Sequence, residues 1–216
     1  MIDMTALSLS DIRNIYCVGR NYRLHATELG NEVPTSPMIF TKPTHAAIGM
    51  DVGKLGIPAS EGSVHYEAEL VFAIGRTYES GIACDELIGA FTVGIDLTLR
   101  DVQDVIKAKG HPWLAAKGFR NSAVLGRWLP FPGENGMEAH DFGLTMNGAE
   151  AQRGNVKDMV FGLQRIVDFV GTRYGLGAGD LIYTGTPAGV GSLSDGDSLD
   201  VWWNGESLGR STVETY

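Results

Sequence analysis

The sequence predicts a strand-dominated α+β protein on three observations: 29 glycines spread through 216 residues, two Asn-Gly pairs flanked by strand-like residues, and a single segment with sustained helical periodicity. Glycine inside a helix costs on the order of 1 kcal/mol relative to alanine, so this composition suits strands and turns better than a helical bundle. With 44% apolar residues the chain can bury its own core, and its length fits one domain spanning residues 1–216.

In chain order, residues 14–18 read as a short buried strand. Gly19-Arg20-Asn21-Tyr22 follows, then a polar segment, 25–30, with room for one or two helical turns stopped by Gly30. Pro34, Pro37 and Pro43 bracket Met38-Ile39-Phe40, which predicts a short strand, and residues 53–62 read as a connecting loop. Residues 65–75 and 90–98 are apolar runs too continuous for surface strands, so both are expected to be covered on each face, with a weaker segment, 85–89, between them. Residues 101–109 predict a short helix ending at Gly110. Asn147-Gly148 and Asn204-Gly205 suit type I′ hairpin turns, whose two central positions both need positive φ. Between them Met159, Leu163, Ile166, Val167, Val170 and Tyr174 recur at helical spacing, with Asp158 at the start and Gly175 after the end, and predict a helix packed on a sheet.

The formal charge of −9 argues against nucleic-acid and anionic-membrane partners, which need clustered Lys and Arg. A small molecule or another protein is the expected partner. If that molecule is an anion, a bound cation or a local basic group must reverse the field inside the site. Cys17 and Cys84 stand far apart without a CxxC, which indicates neither a disulfide framework nor a thiolate zinc site. No apolar stretch approaches the roughly 20 residues that span a bilayer, and a cytoplasmic location is expected.

Glu67-Ala68-Glu69 lies in an apolar run, and the two-residue period of a strand points both carboxylates to one side. An ordinary alternative is a solvated edge strand or an arginine partner. Asp96, between Ile95 and Leu97, adds a third acid in apolar surroundings. With no matching row of buried Lys or Arg visible in the sequence, the three suggest a hard cation, Mg²⁺ or Mn²⁺, leaving coordination open for a substrate. His65 falls on the same strand face and offers a fourth ligand that would favour Zn²⁺ or Fe²⁺, or else packs or supports the site.

His25 and Glu28, three apart, share a face of a helical turn, where the carboxylate can orient the imidazole as a general base; on an exposed turn the same spacing is an unremarkable surface pair. Lys117, among small residues, can stabilise a developing oxyanion or sit exposed. The stretch 184–191, Thr-Gly-Thr-Pro-Ala-Gly-Val-Gly, can bring backbone N–H groups to an anion or simply form a turn, and it matches neither the P-loop nor the dinucleotide fingerprint.

Taken together, Cys17-Val18-Gly19-Arg20-Asn21-Tyr22, His25 with Glu28, Phe40 to Pro43 (40–43), Glu67 with Glu69, residues 96–103, Lys117 and residues 184–191 make the chain resemble the fumarylacetoacetate hydrolase family over nearly its whole length. The likeness is to its short single-domain branch of acylpyruvate hydrolases and oxaloacetate decarboxylases. The resemblance implies a mixed β-sandwich roll with flanking short helices, usually homodimeric, with an N-terminal strand and lid segment over 1–60 and the roll over 61–216. It assigns the metal to Glu67, Glu69 and Asp96, the water-activating dyad to His25 and Glu28, anion stabilisation to Lys117, and substrate contact or support to Arg20, Gln103 and Thr186. Two departures stand out: Tyr66 replaces a second histidine before the first glutamate, and Gly118 replaces a bulkier small residue before Phe119.

The implied substrate is an anionic 2-oxo acid whose 1-carboxylate and 2-oxo oxygens chelate the metal while the C3–C4 bond breaks. Hydrolysis of an acylpyruvate such as fumarylpyruvate or acetylpyruvate is the leading expectation. Oxaloacetate decarboxylation, oxaloacetate tautomerisation and isomerisation of 2-hydroxyhepta-2,4-diene-1,7-dioate are the alternatives. A non-catalytic protein with a structural Ca²⁺ or Mg²⁺ is the rival from another class, though it has no need of His25, Glu28 and Lys117. Cys17 as a nucleophile lacks a base placed for it.

Overall fold

A computed structural model describes residues 4–28 and 34–216, and for residues 25–27 the backbone alone. Among the described residues the regular elements are β1 (Ile15–Gly19), α1 (Arg23–Glu28), β2 (Met38–Lys42), β3 (Ala47–Gly49), β4 (Gly53–Ile57), β5 (Val64–Tyr66), β6 (Ala68–Ile74), α2 (Cys84–Leu87), β7 (Ile88–Asp96), β8 (Thr98–Leu99), α3 (Arg100–Ala108), α4 (Leu114–Lys117), β9 (Ala123–Leu125), β10 (Leu129–Pro130), α5 (Glu134–Glu138), β11 (Phe142–Met146), β12 (Ala149–Gly154), α6 (Leu163–Tyr174), β13 (Leu181–Tyr183), β14 (Gly191–Ser192), β15 (Ser198–Trp203) and β16 (Glu206–Thr215). The fold is the strand-dominated α+β class expected.

Three sheets organise it. An eight-stranded mixed sheet runs β2-β1-β13-β6-β7-β9-β3 with β10 on β7; a five-stranded sheet runs β12-β11-β15-β16-β4; a small one runs β14-β5-β8. Strands β6 and β7 are buried on both faces, because alternate residues go to different cores. Leu70, Phe72, Phe91 and Val93 join Phe142, Leu144, Val201 and Trp203 between the two larger sheets, where Phe91 meets Trp203 edge-on at 4.9 Å. Val71, Ala73 and Ala90 face the other way, onto Ile15, Cys17, Leu181 and Tyr183. Both Asn-Gly turns form as expected, with φ of 52° and 80° at Asn147-Gly148 and 51° and 77° at Asn204-Gly205.

Three expectations need correction. Residues 53–62 are not all loop: β4 lies parallel to β16 at the edge of the five-stranded sheet, burying Leu55 and Ile57, and so distant a partner leaves no local signal. The long helix begins at Leu163 after Gly162, while Asp158 ends a separate single turn and Met159 follows it as an extended bridge partner of Tyr22, so the apolar periodicity overran the start. The run 65–75 is two strands. The chain leaves the small sheet after Tyr66 and enters the large one at Ala68, and the partner run breaks level with it at Leu97, so β5 pairs with β8 below the break and β6 with β7 above it. Segment 85–89 holds the single turn α2 and the start of β7, and Gly30 lies outside the described residues. Strands of the first sixty residues are integral to the sheets, with β1 between β2 and β13.

Candidate metal and substrate site

Strand directions bring the chemistry to one sheet edge. β1 and β13 are parallel, both run against β6, and β6 runs against β7, so the C-terminal ends of β1, β7 and β13 meet the start of β6. Gly19-Arg20, Asp96 and Gly185-Thr186 therefore arrive together beside Glu67 and Glu69. Glu69 shares the side of Val71 and Ala73, and Asp96 that of Ala90, so both point to the same face. Glu67 converges by another route, because it sits in the break between β5 and β6, where its carbonyl accepts the Asp96 N–H at 2.8 Å. The expected two-residue strand period is thus not what aligns it. One carboxylate oxygen from each of Glu67, Glu69 and Asp96 lies within 4.8 Å of the others, and all three residues are buried.

The expected lack of buried cations is incorrect. Lys117, from α4, donates through Nζ to Glu67 Oε2 (2.7 Å), Asp96 Oδ2 (2.7 Å) and Thr98 Oγ1 (2.6 Å). Lys42, from β2, places Nζ 2.7 Å from Asp96 Oδ1 as an ion pair without hydrogen-bond alignment, and donates to the carbonyls of Leu97 and Lys117. Arg100 donates from Nη2 to Glu67 Oε1 (2.5 Å) and from Nη1 to Gln103 Oε1 (2.6 Å). Lys42 carries little local signal because it closes a short strand between prolines, and Arg100 because it precedes the expected helix start. A lysine in an otherwise apolar strand was the available signal for Lys42.

Three acids and three bases cancel formally, so neutrality alone does not require an ion. Glu69 does distinguish itself. It accepts the Gly185 N–H at 2.8 Å, and no cation pairs with it among the described residues. Burial, then the charges of Asp96 and Glu67, push its pKa well above the ordinary carboxylate value. Burial works against the charge of Lys117, but Asp96 and Glu67 overcome it and hold its pKa above the ordinary lysine value. The donor set of three carboxylate oxygens suits a hard divalent ion, which would relieve the crowding at Glu69. The pocket that these groups line together with Arg20, Phe40, Gln103 and Lys107 encloses about 40 Å³, on the order of one water or ion.

The remaining residues divide clearly. Arg20, Gln103 and Lys107 line the pocket with Phe40 and Trp113, and Thr186 does so while accepting a hydrogen bond from Gln152 Nε2 at 2.8 Å. Gln152 also accepts the Ala68 N–H, supporting the start of β6, and had no sequence signal. Glu28 accepts the Gly189 N–H at 3.2 Å, so residues 184–191 hold protein carboxylates at both Gly185 and Gly189. Gly185 has φ +96°, and an added Cβ would lie 2.8 Å from Asn21 Cβ, so only glycine fits there. The His25 side chain lies outside the described residues. Among the described residues His65 does not join the acids and its buried Nδ1 meets no partner; burial, then Arg100, lower its pKa. Tyr66 packs in the core. At Gly118 an added Cβ would lie 2.5 Å from Leu114 Cδ1, so Leu114 takes the space a larger residue would use. Burial, then Asp96, raise the Cys17 thiol well above its usual range, which suits no nucleophile.

A curled, strand-rich fold with a buried tricarboxylate at the sheet edge defines an enzyme pocket able to hold a hard cation beside a basic lining. The chain belongs to the fumarylacetoacetate hydrolase family: the family model described as fumarylacetoacetate (FAA) hydrolase C-terminal matches residues 14–214. It is 38% identical over 202 residues to the oxaloacetate tautomerase YcgM of Escherichia coli K12, covering 91% of each chain. It is 35% identical over 190 residues to a mitochondrial oxaloacetate decarboxylase of Dictyostelium discoideum, covering 87% of each. Among solved structures, fumarylpyruvate hydrolase from Pseudomonas aeruginosa, in complex with Mn²⁺ and pyruvate, superposes with a TM-score of 0.84 at 33% identity, covering 95% of this chain and 91% of that one. Like these relatives, the chain is an enzyme. No helix of the described residues is long and apolar enough to cross a membrane.

Proposed function

We propose that this enzyme is a Mg²⁺- or Mn²⁺-dependent catalyst of oxaloacetate chemistry, tautomerisation first and decarboxylation second. The observation that carries the reading is the buried Glu67, Glu69 and Asp96 set, in which Glu69 has no cation among the described residues, next to a pocket lined by Arg20, Gln103 and Thr186. The relatives named for oxaloacetate support it over the acylpyruvate hydrolysis that the sequence put first. Glu67, Glu69 and Asp96 would hold the ion, which when bound supplies Lewis-acid polarisation of the 2-oxo group.

The chain's own residues do the rest. Lys117, kept protonated by Asp96 and Glu67, presents a fixed positive charge where an enolate oxygen develops. Arg100 and Gln103 are tied to each other, so Gln103 keeps its amide N–H groups for ligand. Tautomerisation needs only a proton moved at C3, and no attacking water. Acylpyruvate hydrolysis is the second reading, favoured by the fumarylpyruvate hydrolase likeness; it assigns His25, oriented by Glu28, to water activation.

The test measures purified protein with Mn²⁺ on enol-oxaloacetate and on acetylpyruvate, before and after chelation. The expected result is accelerated conversion of oxaloacetate that chelation and Glu69→Gln both abolish. Faster acetylpyruvate cleavage than oxaloacetate conversion, lost in His25→Ala, would transfer the assignment to the hydrolase. Chelator-resistant activity would remove the metal from both.

A further inference from the structure

Helix α3 carries a polar face that the acids do not account for. Arg100, Gln103 and Lys107 follow one another at spacings of three and four, so they share one side of the helix, and all three line the pocket. Arg100 is committed to Glu67 and Gln103. Lys107 is not: among the described residues no ion pair or hydrogen bond joins it to an acid, even to Asp104 one turn back. Arg20 is in the same position. It stands at the end of β1 with φ 56°, a backbone region that non-glycine residues rarely occupy, and no acid pairs with it among the described residues.

Glu67, Glu69 and Asp96 are balanced by Lys42, Arg100 and Lys117, so Arg20 and Lys107 are a surplus of two positive charges on one pocket lining, within a chain of net charge −9. The two line the same pocket, and the Lys107 pKa is lowered by burial first and by the Arg20 charge next. An anion bound there offsets both charges. Phe40 and Trp113, their rings 5.5 Å apart, supply an apolar side to the same lining.

We propose that Lys107, with Arg20, receives a second carboxylate, and that the pocket selects dicarboxylic over monocarboxylic 2-oxo acids. The inference rests on the 2-oxo acid reading above and assigns its specificity to a residue outside the metal set. Arg20 supplies a planar fork and Lys107 a point charge, the pair that a carboxylate bridges well.

Malate and lactate separate the two readings, since both carry a carboxylate with a neighbouring hydroxyl and only malate has the second carboxylate. Calorimetric titrations would use Mn²⁺-loaded wild type, Lys107→Met and Lys107→Arg. Wild type is expected to bind malate at least about tenfold more tightly than lactate, Lys107→Met to lose most of that ratio, and Lys107→Arg to keep it. Equal binding of both acids by wild type, or an unchanged ratio in Lys107→Met, overturns the inference and leaves the 2-oxo acid reading standing. Failure of wild type to bind either acid overturns both.

Discussion

The molecule carries two clusters of acids and bases with nearly the same contact distances and opposite surroundings. At the sheet edge, Glu67 and Asp96 meet Lys42, Arg100 and Lys117 at 2.5 to 2.7 Å, with every side chain 12% exposed or less. On the outer face of the five-stranded sheet, Arg153 meets Asp141 at 3.0 Å and Glu150 at 2.6 Å, and Arg210 meets Asp200 at 2.7 Å, with both arginines more than half exposed. The surface cluster lines a groove of about 500 Å³, far larger than the gap among the buried groups. Size and short contacts are therefore poor guides to this site. Water screens the outer pairs, which are satisfied with or without one another. The inner groups have no such solvent, so each fixes the charge state of the next.

Removing one cation from the inner cluster gives the largest expected effect. Lys117→Met leaves Glu67 Oε2 and Asp96 Oδ2 buried without their donor. Urea unfolding of the metal-free variant should show a loss of about 3–5 kcal/mol, the usual cost of breaking a buried pair. Mn²⁺ should raise its melting temperature more than it raises that of wild type, because the ion no longer competes with an ammonium. A loss no greater than at the surface would erase the distinction between the clusters.

A pH series gives a smaller effect. Glu69 has its folded pKa raised above the ordinary value of 4.5, so above that pH the folded chain holds a proton that the unfolded chain releases. Metal-free stability should therefore decline as pH climbs from about 4.5 toward the raised pKa, by at most about 1.4 kcal/mol per pH unit. Glu69→Gln should lack this component of the slope; the same slope in both proteins would assign it elsewhere.

At the surface almost no effect is expected. Arg153→Met should leave the melting temperature unchanged in low and high salt, and a clear drop would mean that the outer network is coupled to the core.

Much of the site was legible because each acid broke a local pattern: Glu67, Glu69 and Asp96 stand in apolar runs of sequence that have no use for them. The same holds for the two Asn-Gly turns, whose positive φ is a property of two residues and their neighbours. What stayed hidden was non-local. The break at Glu67 carries no Gly or Pro, and only the shift of its partner run at Leu97 reveals it. Lys42 reads as the end of a minor strand until β2 is laid beside β1, and Lys107 as a solvated helix lysine until α3 is seen to turn one face to the pocket.

The sequence by itself determined the strand-rich class, the hairpins and the residue types able to hold a hard cation, since those follow from side-chain period, turn chemistry and the cost of burying charge. Tertiary structure alone decided that Lys117, Lys42 and Arg100 close on acids distant in the chain, and that among the described residues none of these cations pairs with Glu69. Those outcomes depend on where four strand ends meet in space, which no rule acting over a few residues can set.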